Sequence, residues 1–222
     1  MDFTATGVGP IAAKTATGSL LRTFNLPIEL SGVTVSINGL ACGLKSVGGN
    51  RITFVAPPYI SSQTTGTIYP ITITKDGAIL KTFVTIVPAR PDIFNTTMTV
   101  APGGRAKVFN VTNTVHTVEP FVIRTIKRKG GLLVPSVLRI YATGIQNVSS
   151  TVATIRIGSV VINGSNIVSN SILVDPGVLT LDFLLPAAAQ GLGDQPIIFT
   201  ITANGTTFES RLDDTTSRIF IL

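Results

Sequence analysis

The 222 residues of this chain are enough for one large domain or two modest domains, each with its own hydrophobic core. Hydrophobic residues make up 44% of the chain and charged residues 13%, and this apolar content excludes a disordered protein. The chain has 17 Lys and Arg residues against 11 Asp and Glu, a net charge of +6, and its basic residues cluster at residues 124–129. Because no aromatic platform accompanies the cluster and no apolar run reaches roughly 20 residues, we expect neither nucleic-acid binding nor a transmembrane segment.

Short runs of alternating apolar and hydroxyl residues predict β-strands along most of the chain. Residues 33–37 and 71–74 are clear cases, with Val or Ile at every second position. Several runs end at a pair of residues that both accept a positive φ, which predicts two-residue hairpins. These pairs are Asn38-Gly39, Asp76-Gly77 and Asn204-Gly205.

Four short segments occur twice in the same order, once in each half of the chain. The matched pairs are residues 3–8 with 141–145, 36–39 with 161–164, 52–57 with 181–186, and 72–77 with 200–205. Each segment joins part of a predicted strand to a turn or a strand end. A recurrence of this kind predicts one supersecondary plan used in tandem.

The predicted fold class is all-β, with two tandem immunoglobulin-like β-sandwich domains joined by a short Pro-containing linker. Residues 1–88 form the first module, and residues 87–91 contain two prolines that favour an extended connection. Residues 89–136 have no counterpart in the first copy, and we expect them to supply a linker and additional strands packed on the second module. Residues 137–222 form that second module.

The same residues carry a resemblance to a known family. The runs concerned are residues 26–39, 51–57, 90–94, 104–106 and 141–144. They resemble an uncharacterised bacterial C-terminal domain family of Solibacter type, related to IPT/TIG immunoglobulin-like modules and found in secreted proteins. The resemblance implies a sandwich fold without catalytic residues. It also implies an extracellular or cell-surface location.

Residues that could carry chemistry are scarce and scattered. His116 stands in a polar stretch without a nucleophile motif, and Cys42 lies in an apolar hairpin where a small buried side chain is expected. Asp213 and Asp214 lack the alternating oxygens and turn glycine of a calcium loop. We therefore predict a protein that is not an enzyme and holds no cofactor or metal.

Five Asn residues stand in N-glycosylation acceptor triplets: Asn95, Asn110, Asn147, Asn163 and Asn204. A chain rich in Thr, Ser and Asn also produces such triplets by chance. Asn163 and Asn204 are predicted at hairpin tips, where an attached sugar would project into solvent.

The leading functional hypothesis is an extracellular structural protein that self-associates into a surface fibre or layer by β-strand exchange. Its apolar terminal segments are the predicted exchange elements, through Phe3, Ala5, Ile219, Phe220, Ile221 and Leu222. The partner is then another copy of the chain. The alternative is an adhesion module that recognises a polysaccharide or a protein through loops such as residues 61–66 or the basic cluster at 124–129.

Overall fold

The fold is known from a computed structural model. It describes residues 2–6, 15–18, 26–57, 60, 62–63, 66–97, 103–144, 152–169, 172–203, 205–212 and 216–222. The secondary structure of these residues consists of β-strands and two short 3-10 turns. The predicted all-β fold class is confirmed.

The chain divides into two compact units. We call residues 1–88 with 175–177 the N-terminal unit, and residues 89–174 with 178–222 the C-terminal unit. The strands of the N-terminal unit are β1 Asp2–Thr6, β2 Ala16–Thr17, β3 Glu29–Leu30, β4 Val33–Ile37, β5 Leu40–Ala41, β6 Gly43–Val47, β7 Arg51–Val55, β8 Thr67–Lys75 and β9 Ala78–Ile86. They form two antiparallel sheets, one in the order β1-β7-β6-β2 and one in the order β3-β4-β8-β9, with β5 paired to β4.

The core of the N-terminal unit lies between its two sheets. Successive side chains of a strand point to opposite faces, so the alternating pattern of β4 turns one apolar row inward. The buried residues are Val33, Val35, Ile37, Cys42, Leu44, Val47, Ile52, Phe54 and Ile71. The prediction that Cys42 is a small buried apolar residue is confirmed. This core holds the two sheets together. β9 is the last strand of its sheet.

The C-terminal unit contains more strands. They are β10 Asp92–Ile93, β11 Asn95–Thr97, β12 Arg105–Ala106, β13 Val108–Asn110, β14 Arg124–Ile126, β15 Leu133–Pro135, β16 Val137–Thr143, β17 Ala153–Ile157, β18 Val160–Ile162, β19 Ile172–Asp175, β20 Val178–Leu184, β21 Gly193–Ala203, β22 Thr206–Glu209 and β23 Arg218–Ile221. One sheet runs β10-β16-β20-β19, with β13 also on β16. Another runs β11-β12-β23-β21-β17-β18, with β22 on β21, and β14 and β15 form a separate ribbon.

The larger core of this unit contains Phe183 from the first sheet and Phe199 from the second, both fully buried. Strands from the inserted segment of residues 92–135 take part in both sheets, since β10 and β13 pair with β16 and β12 pairs with β23. The two 3-10 turns, Gly164–Asn166 and Ala187–Ala189, also belong to this unit.

The strand order repeats between the units. β1, β7 and β6 are neighbours in one unit as β16, β20 and β19 are in the other, and β5-β4-β8-β9 corresponds to β18-β17-β21-β22. Three of the four matched segment pairs therefore occupy equivalent strands. The pair of residues 36–39 and 161–164 does not, because the hairpin equivalent to Asn38-Gly39 turns at Gly158-Ser159 instead. Gly158 supplies the positive φ of 56° that this turn requires.

Candidate functional site

The candidate site is β9, the terminal strand of its sheet, which carries exposed apolar side chains. Its nine residues pair in unbroken register with β8, from Thr67 opposite Ile86 to Lys75 opposite Ala78. The register follows from the turn at Asp76-Gly77, where φ is 46° and 87°, as the sequence predicted for a two-residue hairpin. Within the described residues, β9 pairs with β8 alone and is the last strand of its sheet.

Large apolar side chains lie exposed on this edge. Ile79 and Phe83 are 63% and 73% exposed, and Ile68 of β8 is exposed on the same sheet face. Leu80 points to the opposite face and is exposed as well. A row of apolar groups beside a strand edge that no described strand covers is a template for another strand.

The usual protection of edge strands is weak here. Natural edges are blunted by charged residues, by proline, by bulges or by shortness. β9 is nine residues long, contains no proline, and has Lys81 as its single charged residue. Its register with β8 shows no bulge. We call β9 with the exposed side chains of Ile68, Ile79 and Phe83 the β9 edge.

The predicted exchange segments lie elsewhere. β1, which holds Phe3 and Ala5, is the terminal strand of the other N-terminal sheet and pairs with β7. The side chains of Phe3 and Ala5 lie outside the described part of the structure. β1 therefore provides a second sheet border in the same unit.

The C-terminal segment is an internal strand of its sheet. One side of β23 pairs with β21, and its other side bonds to residues 104 and 121 through backbone N–H···O contacts of 2.8–3.0 Å. Ile219 and Ile221 are buried in the core, while Phe220 and Leu222 are exposed. Both sides of β23 are therefore paired within the chain, so this strand offers no free edge. Exchange of Ile219–Leu222 between copies stays a prediction.

The side chains of two glycosylation candidates, Asn95 and Asn110, form hydrogen bonds within the fold. The amide of Asn95 donates to the carbonyl of Gly103 over 2.6 Å, and its oxygen accepts from the Ser217 hydroxyl. Asn110 is buried, and its amide nitrogen donates to Thr125 Oγ1 over 2.8 Å. Both amide nitrogens therefore donate hydrogen bonds within the fold, and glycosylation at these two residues stays a prediction.

The other candidates are placed differently. Asn163 is exposed, but it precedes the 3-10 turn Gly164–Asn166 rather than lying at a hairpin tip, which corrects the prediction for this residue. Asn204, which precedes Gly205 in the sequence, and Asn147 both lie outside the described residues.

The described residues offer few candidates for a nucleophile or for metal ligands. Burial raises the pKa of the Cys42 thiol to about 12, so this sulfur stays protonated at neutral pH. His116 is exposed in a loop. In the described ranges no three His, Cys, Asp or Glu side chains gather as metal ligands, and no helix there is long and apolar enough to cross a membrane. Asp213 and Asp214 lie outside those ranges.

The charged cluster of the C-terminal unit is an ion-pair network. Arg105 forms a two-pronged contact with Glu119 at 2.7 and 2.5 Å and also reaches Asp194, which Arg218 contacts at 2.7 Å. Burial by itself would raise the pKa of Asp194, but hydrogen bonds from Arg105 and Arg218 lower it below its usual value. Since these contacts join the segments that hold β12 and β23, their role is structural.

The ion pairs of Asp194 with Arg105 and Arg218 predict that the stability of the fold depends on pH. A carboxyl group whose pKa is lowered in the folded state stabilises that state at neutral pH, and this contribution is lost as the pH falls through the folded pKa. Between about pH 5 and about pH 3, we expect the free energy of unfolding to fall less in the Asp194→Asn variant than in the wild type. Urea denaturation at both pH values, followed by circular dichroism, measures it. Equal pH slopes for the variant and the wild type would contradict this role.

Comparison with known proteins identifies no family for this chain. No family model matches the chain, and no curated protein matches it. Among solved structures, it is similar to an endo-fucoidan hydrolase from glycoside hydrolase family 107, at 13% identity over 99% of this chain and 30% of that chain, with a TM-score of 0.18. A second endo-fucoidan hydrolase of that family matches at 10% identity over 100% of this chain and 41% of that chain, with a TM-score of 0.15.

This chain thus spans less than half the length of those enzymes. TM-scores this low carry no inference about fold or activity.

Sequence reasoning missed the β9 edge, although a signal was present. The hairpin predicted at Asp76-Gly77 makes the residues after it a return strand, and Ile79-Leu80 breaks the alternation of apolar and polar residues there. Two adjacent apolar residues in a strand place one side chain on each face. One of them must then lie outside a one-sided core.

Proposed function

We propose that this chain is a non-enzymatic extracellular structural protein, built of immunoglobulin-like modules, that self-associates through the β9 edge. The observation that carries the proposal is a nine-residue terminal strand with Ile79 and Phe83 exposed and a single charge. A strand of another copy that pairs with β9 would extend the sheet and cover these side chains.

The magnitudes support a contact of moderate strength. Burying an Ile or Phe side chain contributes roughly 1.5–3 kcal/mol, so Ile68, Ile79 and Phe83 together contribute several kcal/mol. Association costs roughly 4–15 kcal/mol in lost freedom of motion, and backbone hydrogen bonds along β9 add to the favourable side. The balance favours an interaction that depends on concentration and on every one of these apolar groups.

The type of contact determines the assembly. If β9 pairs with β9 of a second copy around a two-fold axis, the contact closes as a dimer. If β9 pairs with the β1 border of the next copy, each copy has two different edges and growth is open-ended. The second arrangement is the one that produces a fibre or a layer, and it is the form we propose.

The double variant Ile79→Lys/Phe83→Lys tests the proposal. Lysines on an edge strand oppose pairing because their charges would be buried against the next strand. We expect the wild type to form larger species as its concentration rises, and the double variant to stay monomeric over the same range. Analytical ultracentrifugation across a concentration series measures this, and electron microscopy shows whether the large species are elongated.

The matched control is Val115→Lys/Val168→Lys, which places two lysines at exposed apolar positions outside the strands. It should assemble as the wild type does. A wild-type monomer at every concentration and salt level, or assembly of the β9 variant equal to that of the control, would contradict the proposal.

A further inference from the structure

A second surface feature is independent of the β9 edge. β14 and β15 form a two-stranded ribbon in which Ile126 lies opposite Leu133. The ribbon closes at its tip through a hydrogen bond of 2.7 Å from the Lys127 amide to the Leu132 carbonyl and one of 3.0 Å from Gly131 to Lys127. We call residues 124–135 the basic ribbon.

The inner face of the basic ribbon is tied to the body of the C-terminal unit. Thr125 accepts a hydrogen bond from the buried Asn110 side chain over 2.8 Å and shares one of 2.7 Å with the buried Ser136 hydroxyl. Asn113 adds two contacts, donating to the Ile126 carbonyl and accepting from the Arg128 amide. These bonds hold the ribbon in one orientation, so its outer face is presented as a preformed surface.

The outer face combines exposed apolar groups with positive charge. Ile126 and Leu132 are 62% and 66% exposed, and Leu133 is exposed beside them. The sequence of the ribbon contains four basic residues, no acidic residue and no aromatic residue; the basic ones are Arg124, Lys127, Arg128 and Lys129. All four are exposed.

This combination discriminates between classes of anionic partner. Single-stranded nucleic acids stack their bases on aromatic side chains, and the ribbon contains none. The phosphates of a nucleic acid could pair with the basic residues but would leave the exposed apolar side chains of the ribbon uncovered. A membrane surface with anionic lipids offers both negative headgroups for the basic residues and an apolar layer for Ile126, Leu132 and Leu133. We propose that the basic ribbon docks on an anionic lipid surface, which goes beyond self-association through β9.

Vesicle binding tests this proposal on the full chain. We expect sedimentation with vesicles of phosphatidylcholine mixed with phosphatidylglycerol, and much less with phosphatidylcholine alone. Each basic residue near such a surface raises the affinity about fivefold, so Lys127→Glu/Arg128→Glu/Lys129→Glu should lower it at least a hundredfold. Ile126→Ser/Leu133→Ser should lower it too, most visibly at high salt, where the charge contribution is screened.

The charge-matched control is Arg51→Glu/Arg90→Glu/Arg156→Glu, which makes the same change in net charge at exposed positions outside the ribbon. It should lose far less affinity than the ribbon variant, and circular dichroism should show that all variants remain folded. Equal binding to both kinds of vesicle, equal losses in the two charge variants, or binding to heparin without binding to the mixed vesicles would overturn the proposal. The monomeric β9 variant should still bind the mixed vesicles, so failure here is distinguishable from failure of self-association.

Discussion

Replacing Ile219 with Asn is expected to remove a large part of the stability of the C-terminal unit. Ile219 is 0% exposed in β23, which lies between β21 and residues 104 and 121. The change removes roughly 1.5–3 kcal/mol of apolar burial and leaves an amide group without sufficient partners, at roughly 1–3 kcal/mol more. A total near 4 kcal/mol is a large part of the stability of an ordinary domain.

Chemical denaturation followed by circular dichroism measures this loss. The control is Phe220→Asn on the opposite face of the same strand, where the side chain is 38% exposed and a smaller effect is expected. If both variants lost equally little, β23 would not be the central strand that its pairing indicates.

The second large effect concerns the two cores. Phe54 is buried in the core of the N-terminal unit and Phe183 in that of the C-terminal unit. Truncation of a buried Phe to Ala costs roughly 3–5 kcal/mol, since it removes apolar contact and leaves a cavity. We expect Phe54→Ala to lower the denaturation midpoint of the N-terminal unit and Phe183→Ala that of the C-terminal unit.

Hydrogen exchange resolved along the chain separates the two effects. Phe54→Ala should speed exchange in β4, β6 and β7, and Phe183→Ala in β16, β20 and β21. Phe83→Ala is the control because Phe83 is exposed on β9, and it should change the free energy of unfolding by no more than about 0.5 kcal/mol. If either core variant destabilised both units equally, the chain would behave as one cooperative domain.

Local features of the fold were predictable. The hairpins at Asn38-Gly39 and Asp76-Gly77 lie where the sequence predicted them, because positive φ is restricted to few residue types. The burial of Val33, Val35 and Ile37 was also expected, since the period of two assigns them to one face. These features depend on neighbours in sequence.

Other features depended on residues distant in sequence. The triplet Ile-Asn-Gly occurs both at Asn38, in a hairpin turn, and at Asn163, before a 3-10 turn, so the local pattern did not separate the two. Asn110 looked like a surface acceptor, but its amide bonds to Thr125, 15 residues away. The basic residues at 124–129 were visible in the sequence, whereas their arrangement with Leu132 and Leu133 required the pairing of β14 with β15.

The amino-acid sequence by itself indicated the all-β class, the hairpin turns at Asn38-Gly39 and Asp76-Gly77, and three of the four repeated segments, because backbone preferences and side-chain alternation act over a few residues. Only the tertiary structure decided which strands have a free edge. It made β23 an internal strand and β9 a terminal one, although both are apolar runs with one charged residue each. The physical reason is that edge exposure is a property of partners: a strand is covered or open according to which distant segments pair with it.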